Sequence, residues 1–266
     1  MAKTIEPTKP WSPYQTDNYQ KCPLLWDLGK RWQRREEHPM VNMLVGTAVA
    51  LGLERHYKGF TDGLEKADEL VQVQYKEGSK TSLKGTRNLV QQGIELGMAT
   101  NLGVSQILAV EEFYGNIKPD LVAKQGQDLV VIDHKVKMKL DDQYLEKELQ
   151  GYDVSNQLWH YGWAVGMEHG EPVQAAIIHM IILAPFPRTL LHPVKLTPEG
   201  IKHWLHGVTR DWKGMTAIAK GLEEPGARFS SCVGKYGMCD FGVLCHTLHG
   251  DESMAPTFYD KVEKRF

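Results

Sequence analysis

The sequence predicts an α/β fold in which a mixed central β-sheet is flanked by helices. Three observations predict it. Helical periodicity dominates roughly the first hundred residues, short runs of β-formers replace it from Ile107, and helix and strand then alternate to about residue 220. The 266 residues are 42% hydrophobic and 24% charged, a globular composition that excludes disorder, collagen and coiled coil. The pattern divides the chain into a helical amino-terminal part (1–106), a strand-bearing core (107–222) and a cysteine-bearing carboxyl-terminal segment with a tail (223–266).

Residues 1–15 read as an extended leader. Tyr19, Cys22, Leu25, Trp26 and Leu28 then fall at helical spacing on a segment running toward Arg35. Asn42 precedes a second helical stretch to about Tyr57, and two more cover roughly 62–77 and 86–102. ILAVEEFYG, IKPDLVAK and DLVVIDHKVK read as strands, the last two joined as a hairpin by a turn at 125–128. Helical periodicity returns over 145–168, and 173–184 and about 189–194 are strands. Thr197, Pro198 and Glu199 open a further helix in the N-cap, proline and acid order that satisfies free amide donors. From Gly250 the chain is polar and reads as loose.

Charge and hydropathy restrict the partners. There are 31 Lys and Arg against 33 Asp and Glu, so a site for a polyanion must be local. The most apolar stretch, 175–186, is interrupted by His179 and falls well short of the roughly 20 residues that span a bilayer. MAKTIEPTKPWSP has charge and proline where a secretory signal needs an apolar run, which points to a cytoplasmic protein without disulfides.

The most informative residues are Pro119-Asp120 and Asp133-His134-Lys135, on two successive strands. The period of two puts Asp133 and Lys135 on one sheet face. The LVVI run ahead of Asp133 buries that strand, and burial drives an unpaired carboxylate toward its neutral form. A divalent cation such as Mg²⁺ removes that cost, since it takes one or two carboxylates from protein and fills its octahedron with water and phosphate. Lys135 beside it orients a water or neutralises charge on phosphoryl oxygens. The competing reading is a salt-bridged patch at strand ends. An isolated Asp-x-Lys would favour that patch, whereas its position on a strand following a Pro-Asp strand favours the metal site.

IKPD at 117–120 and VVIDHK at 130–135 resemble the PD-(D/E)XK nuclease superfamily, and within it the RecB-like branch. That branch adds a glutamine and a tyrosine one helical turn apart, matched by Gln157 and Tyr161 in NQLWHYGWA. The resemblance implies a restriction-endonuclease-like core. It also implies Mg²⁺ or Mn²⁺ on Asp120, Asp133 and the carbonyl of His134, with Lys135, Gln157 and Tyr161 as catalytic groups. Family members carry a helix patterned Gly, three residues, His, three residues, Glu. Here GTAVALGLE keeps Gly46 and Glu54, a further catalytic candidate, but has Ala50 in place of the metal-binding histidine. His56, rotated by about 240° from position 50, does not replace it. Three readings of Ala50 stand: a natural change filled by Glu54 or water, a degenerate relative that binds without cutting, and an engineered inactive form.

Cys232, Cys239 and Cys245 cluster near the carboxyl end, with Cys22 far upstream. These gaps fit structural zinc sites poorly, and four thiolates are the complement of a 4Fe-4S cluster. The layout resembles iron–sulfur RecB-like nucleases such as AddB and the CRISPR adaptation nucleases, although six residues separate Cys232 and Cys239 where the family has two. The resemblance implies a structural clasp. The alternatives are four inconsequential thiols or zinc. Local basic groups, Arg31, Arg34 and Arg35 around Trp32, and Lys137 beyond Lys135, are candidate DNA contacts. The resemblance therefore implies an exonuclease that prefers single strands and acts on DNA with single-stranded or duplex ends, with a helicase or recombination partner of phage or bacterial type and no membrane. Two other classes compete with it: a silent iron–sulfur module that binds DNA or a partner, and a metal-free scaffold.

Overall fold

A five-stranded sheet carries the fold, in the order β2 (Gln106–Val110), β3 (Leu121–Gln125), β4 (Asp128–Lys137), β5 (Val173–Ile182), β6 (Arg188–Lys195). The structure, a computed structural model, describes residues 11–34, 41–75, 81–234, 237–242, 244, 245 and 252–262. It divides into two compact units, His38–Lys202 and a second made of Met1–Glu37 with His203–Phe266. The sheet and the last three of the five described helices that precede it in sequence belong to the first unit.

Strand β4 pairs antiparallel with β3 and parallel with β5, and the outer pairs are antiparallel, so the sheet is mixed as predicted. The apolar runs of β4 and β5 explain their central place, because a strand covered on both faces has no need of polar alternation. Gly126, at φ 64°, supplies the left-handed turn of the β3–β4 hairpin. On one face, Val131, Ile178 and Met180 pack with Leu158, Tyr161 and Val165 of α7 (Asn156–His169). Leu145 and Leu149 of α6 (Asp142–Asp153) add to that layer. On the other face, Ile181 and Leu183 meet Val45, Ala48, Val49 and Leu53 of α3 (Val41–Tyr57) and Ile94 of α5 (Leu83–Ala99). Helix α4 (Gly63–Gln74) approaches α3 so closely that a Cβ on Gly63 would lie 2.7 Å from the Gly52 carbonyl oxygen.

The second unit is built from both chain ends. Helix α1 (Pro13–Lys21) starts inside the expected leader, because Ser12 and Gln15 form a capping box at its amino end. The single helix expected toward Arg35 is broken. Cys22 is extended ahead of Pro23, as the residue before a proline is forced to be, and α2 (Pro23–Gly29) begins anew. The helix expected over 145–168 is likewise two, parted at Val154 and Ser155. Helix α8 (Pro198–Ala219) starts where Gly200 N–H donates to Thr197 Oγ1 at 3.0 Å. In the second unit, Trp212 Nε1 donates to Thr16 Oγ1 at 3.0 Å, and Trp26 is buried edge-on to Trp11 and Tyr19. The polar tail expected to be loose is folded over 252–262. Ala255 and Tyr259 are buried with Leu28, Phe241 and Leu244, and Tyr259–Lys261 pairs antiparallel with β1 (Trp32–Arg34).

Candidate active site

The β3–β4 hairpin sets the geometry. Leu121 stands opposite Ile132, so one step back along β3 puts Asp120 opposite Asp133. The Asp120 Oδ2 atom accepts a 2.5 Å hydrogen bond from the His134 amide. Asp133, 2% exposed, shares the α7 side of the sheet with Lys135, whose Nζ lies 2.7 Å from Asp133 Oδ2. From α7, Gln157 links the groups: its Nε2 donates to Asp133 Oδ1 at 3.1 Å and to Tyr161 Oη at 2.6 Å, while its Oε1 accepts from Lys135 Nζ at 3.1 Å. Tyr161 Oη donates to the Lys118 carbonyl at 3.4 Å, tying α7 to the loop before β3. The turn-spaced Gln157 and Tyr161 thus meet the strand-spaced Asp133 and Lys135 in one polar cluster inside an apolar layer.

This cluster carries an excess of negative charge. Burial and the neighbouring Asp133 hold the Asp120 carboxyl well above the ordinary carboxylate range, opposed by the His134 amide and Lys135. Burial also raises Asp133, opposed by the Lys135 ammonium. Burial and the adjacent carboxylate push the Tyr161 hydroxyl up, keeping it a neutral donor. The Asp133 Oδ2 atom is buried against the Lys135 ammonium. Two buried carboxylates on neighbouring strands, one raising the other, are hard-oxygen chemistry that suits a divalent cation.

The sequence pattern of the PD-(D/E)XK nuclease superfamily matches residues 10–246. The chain belongs to the PD-(D/E)XK nuclease superfamily. Among solved structures, a candidate exonuclease from Eubacterium rectale aligns over 100% of this chain and 95% of its own, at TM-score 0.51 and 14% identity, which shows a shared fold. The protein SSO0001 aligns over 88% and 95% of the two chains at 16% identity, with a TM-score of only 0.31. No curated protein matches.

PD-(D/E)XK nucleases typically use divalent metals. Among the described residues no three His, Cys, Asp or Glu side chains form a ready-made metal site. The oxygen donors of the cluster include the two aspartates, the Gln157 Oε1 atom and main-chain carbonyls. The His134 ring turns to the opposite sheet face: its Nδ1 lies 2.8 Å from His179 Nδ1, and Tyr57 stacks on it with ring centroids 5.5 Å apart. Burial lowers His134 to about 3 and His179 to about 4, so both rings are neutral at pH 7. Glu54 on α3 is ion-paired with Lys58 at 2.6 Å and makes no bond to the cluster. Half-buried Ala50 lies one turn before it, and a Cβ on Gly46 would meet nothing within 4 Å, so that helix face is thinly covered.

Lys137 is held by Glu148 of α6. Arg31 and Arg34 lie in the other unit, where Arg31 is bound by Glu252 and by Asp27 at 2.7 Å and Arg34 is in β1. Arg35 lies outside the described residues. The cysteines also lie in that unit. The Arg228 amide donates to Cys22 Sγ at 3.3 Å, and the Cys239 amide donates to the Cys232 carbonyl at 2.7 Å. Burial and the thiols of Cys239, Cys22 and Cys232 push the Cys245 thiol up to about 11.

Glu111 escaped the sequence reading. It is non-glycine yet has φ 54°, its amide donates to the Asp120 carbonyl at 3.0 Å, and its side chain pairs with Lys118. Its charge adds to those that raise Asp120. Nothing in ILAVEEFYG distinguishes it from Glu112.

Proposed function

We propose that the protein is a metal-dependent deoxyribonuclease of RecB-like type that hydrolyses phosphodiester bonds at DNA ends, preferring single strands. The observation that carries this reading is the pairing of Asp120 and Asp133 across neighbouring strands, with Lys135 2.7 Å from the Asp133 Oδ2 atom. Asp120, Asp133 and the His134 carbonyl would hold Mg²⁺ or Mn²⁺, which when bound offsets their mutual repulsion and lowers the pKa of a water. Lys135 presents its ammonium where charge develops on the phosphoryl oxygens. Gln157 fixes that ammonium and the Asp133 carboxylate together, and Tyr161 remains a neutral donor that aligns the strand.

The four cysteines would hold a structural 4Fe-4S cluster. Support comes from four thiols in one unit, with an amide directed at the Cys22 sulfur, the contact by which such clusters are tuned. A helicase or recombination partner and a cytoplasmic setting accord with the RecB-like resemblance. Among the described residues no helix is long and apolar enough to cross a membrane.

A second reading, a catalytically silent module that binds DNA or a partner protein, is favoured by Ala50. Labelled single- and double-stranded DNA incubated with Mn²⁺ separates the two. A nuclease cuts, and Ala50→His cuts faster, since a ligand is added to a thinly covered helix face. A protein that binds without cutting, with Ala50→His equally inert, refutes the hydrolase.

A further inference from the structure

The loop that joins β2 to β3 carries an exposed aromatic side chain on a rigid support. Tyr114 and Ile117 exchange backbone hydrogen bonds at 2.9 and 3.3 Å around Gly115, at φ 66°, and both side chains are buried. The base of the loop is closed by the Glu111 amide on the Asp120 carbonyl and by Tyr161 on the Lys118 carbonyl. Phe113, between these anchors, is left 76% exposed. The Lys118 ammonium, paired with Glu111, lies 5.8 Å from the Phe113 ring centroid. The left-handed backbone at Glu111 is a costly conformation for a side chain of this kind, and such strain persists where the surroundings enforce it, often at functional sites.

We propose that Phe113 and Lys118 form a nucleotide subsite on the rim of the carboxylate pair, in which the ring stacks on a base of the DNA strand and the ammonium contacts a phosphate beside it. The proposal rests on the nuclease reading and deepens it by naming what grips the strand. Stacking needs a flat apolar face open to solvent, and it tolerates any base. An ammonium has three donors, so Lys118 can serve Glu111 and a phosphate together. Glu111 is a positioning residue that keeps Lys118 beside the ring.

The test is a fluorescence titration with Mn²⁺ on the full chain, using single-stranded oligonucleotides with phosphorothioate linkages and 2-aminopurine stepped along the strand. The wild type quenches the probe at one position, and Phe113→Ala loses that quench and weakens binding about tenfold, within the range of one base–aromatic stack. Phe113→Trp retains both. An abasic nucleotide at that position weakens the wild type by the same factor and leaves Phe113→Ala unaffected. Phe113→Ala melts with the wild type, its side chain being exposed. If Phe113→Ala binds and quenches like the wild type, the subsite is overturned; the nuclease reading stands provided ordinary strands are cut. A wild type that neither binds nor cuts overturns both.

Discussion

Replacing Lys135 by methionine leaves the Asp133 carboxylate buried without its counter-charge. Methionine keeps most of the aliphatic stem, so the change isolates the ammonium. The ion pair spans 2.7 Å, with the aspartate side chain 3% exposed and the lysine 27%. At an effective dielectric constant of about 20, attraction at that distance is about 6 kcal/mol. Desolvation of the lysine and its residual contact with water remove about half, leaving about 3 kcal/mol, the lower end of the cost of breaking a buried pair. Thermal melts in chelator at pH 7 should place Lys135→Met roughly 6–12 °C below the wild type. Without the lysine, the folded-state pKa of Asp133 rises further above its unfolded value. The loss is therefore absent below the unfolded pKa and develops as pH rises through the folded one. Adding Asp133→Asn to Lys135→Met removes the stranded charge and restores most of the melting temperature, and Mn²⁺ narrows the gap for the single variant. A Lys135→Met protein as stable as the wild type, or a double variant no better than the single one, would refute the electrostatic account.

Three further outcomes follow from the same reasoning. Cys22→Ser should lose iron and broad visible absorbance and melt well below the wild type; a colourless wild type of equal stability counts against the cluster. His160 is buried, and burial lowers its pKa to about 4 from 6.5. Its contribution is present above pH 6.5 and is lost as pH falls toward 4. By linkage His160→Leu should lose about 2–3 kcal/mol less than the wild type between pH 7 and 4.5, measured by urea unfolding. Gly63→Ala sets a methyl 2.7 Å from the Gly52 oxygen and should cost about 1–3 kcal/mol, read as a lower melting temperature; no change would show that α4 can shift freely.

The groups of the candidate site were legible where chemistry follows a local period. Asp133 and Lys135 share a face because strands alternate, and Gln157 and Tyr161 share one because a helix repeats every 3.6 residues. The hairpin that brings Asp120 to Asp133 was legible from its turn. The rest depended on contacts between residues remote in sequence. Ala255 and Tyr259 look polar-flanked and loose until Leu28 and Phe241 bury them. Glu111 is indistinguishable from Glu112 until its backbone is seen against Asp120. The helix break at Cys22 was readable from Pro23, but the run of apolar residues at helical spacing concealed it.

The pairing of Trp32–Arg34 with Tyr259–Lys261 has a consequence for biogenesis. The amino-terminal strand is translated about 225 positions before its partner (259 − 34 = 225), a wait of roughly 10–45 s at ribosomal speeds. During that interval the five-stranded sheet can assemble on the nascent chain, whereas Leu28 still lacks Phe241, Leu244, Ala255 and Tyr259, which bury it in the finished unit. A ribosome stalled before residue 259 would therefore hold a finished five-stranded sheet beside an unfinished second unit.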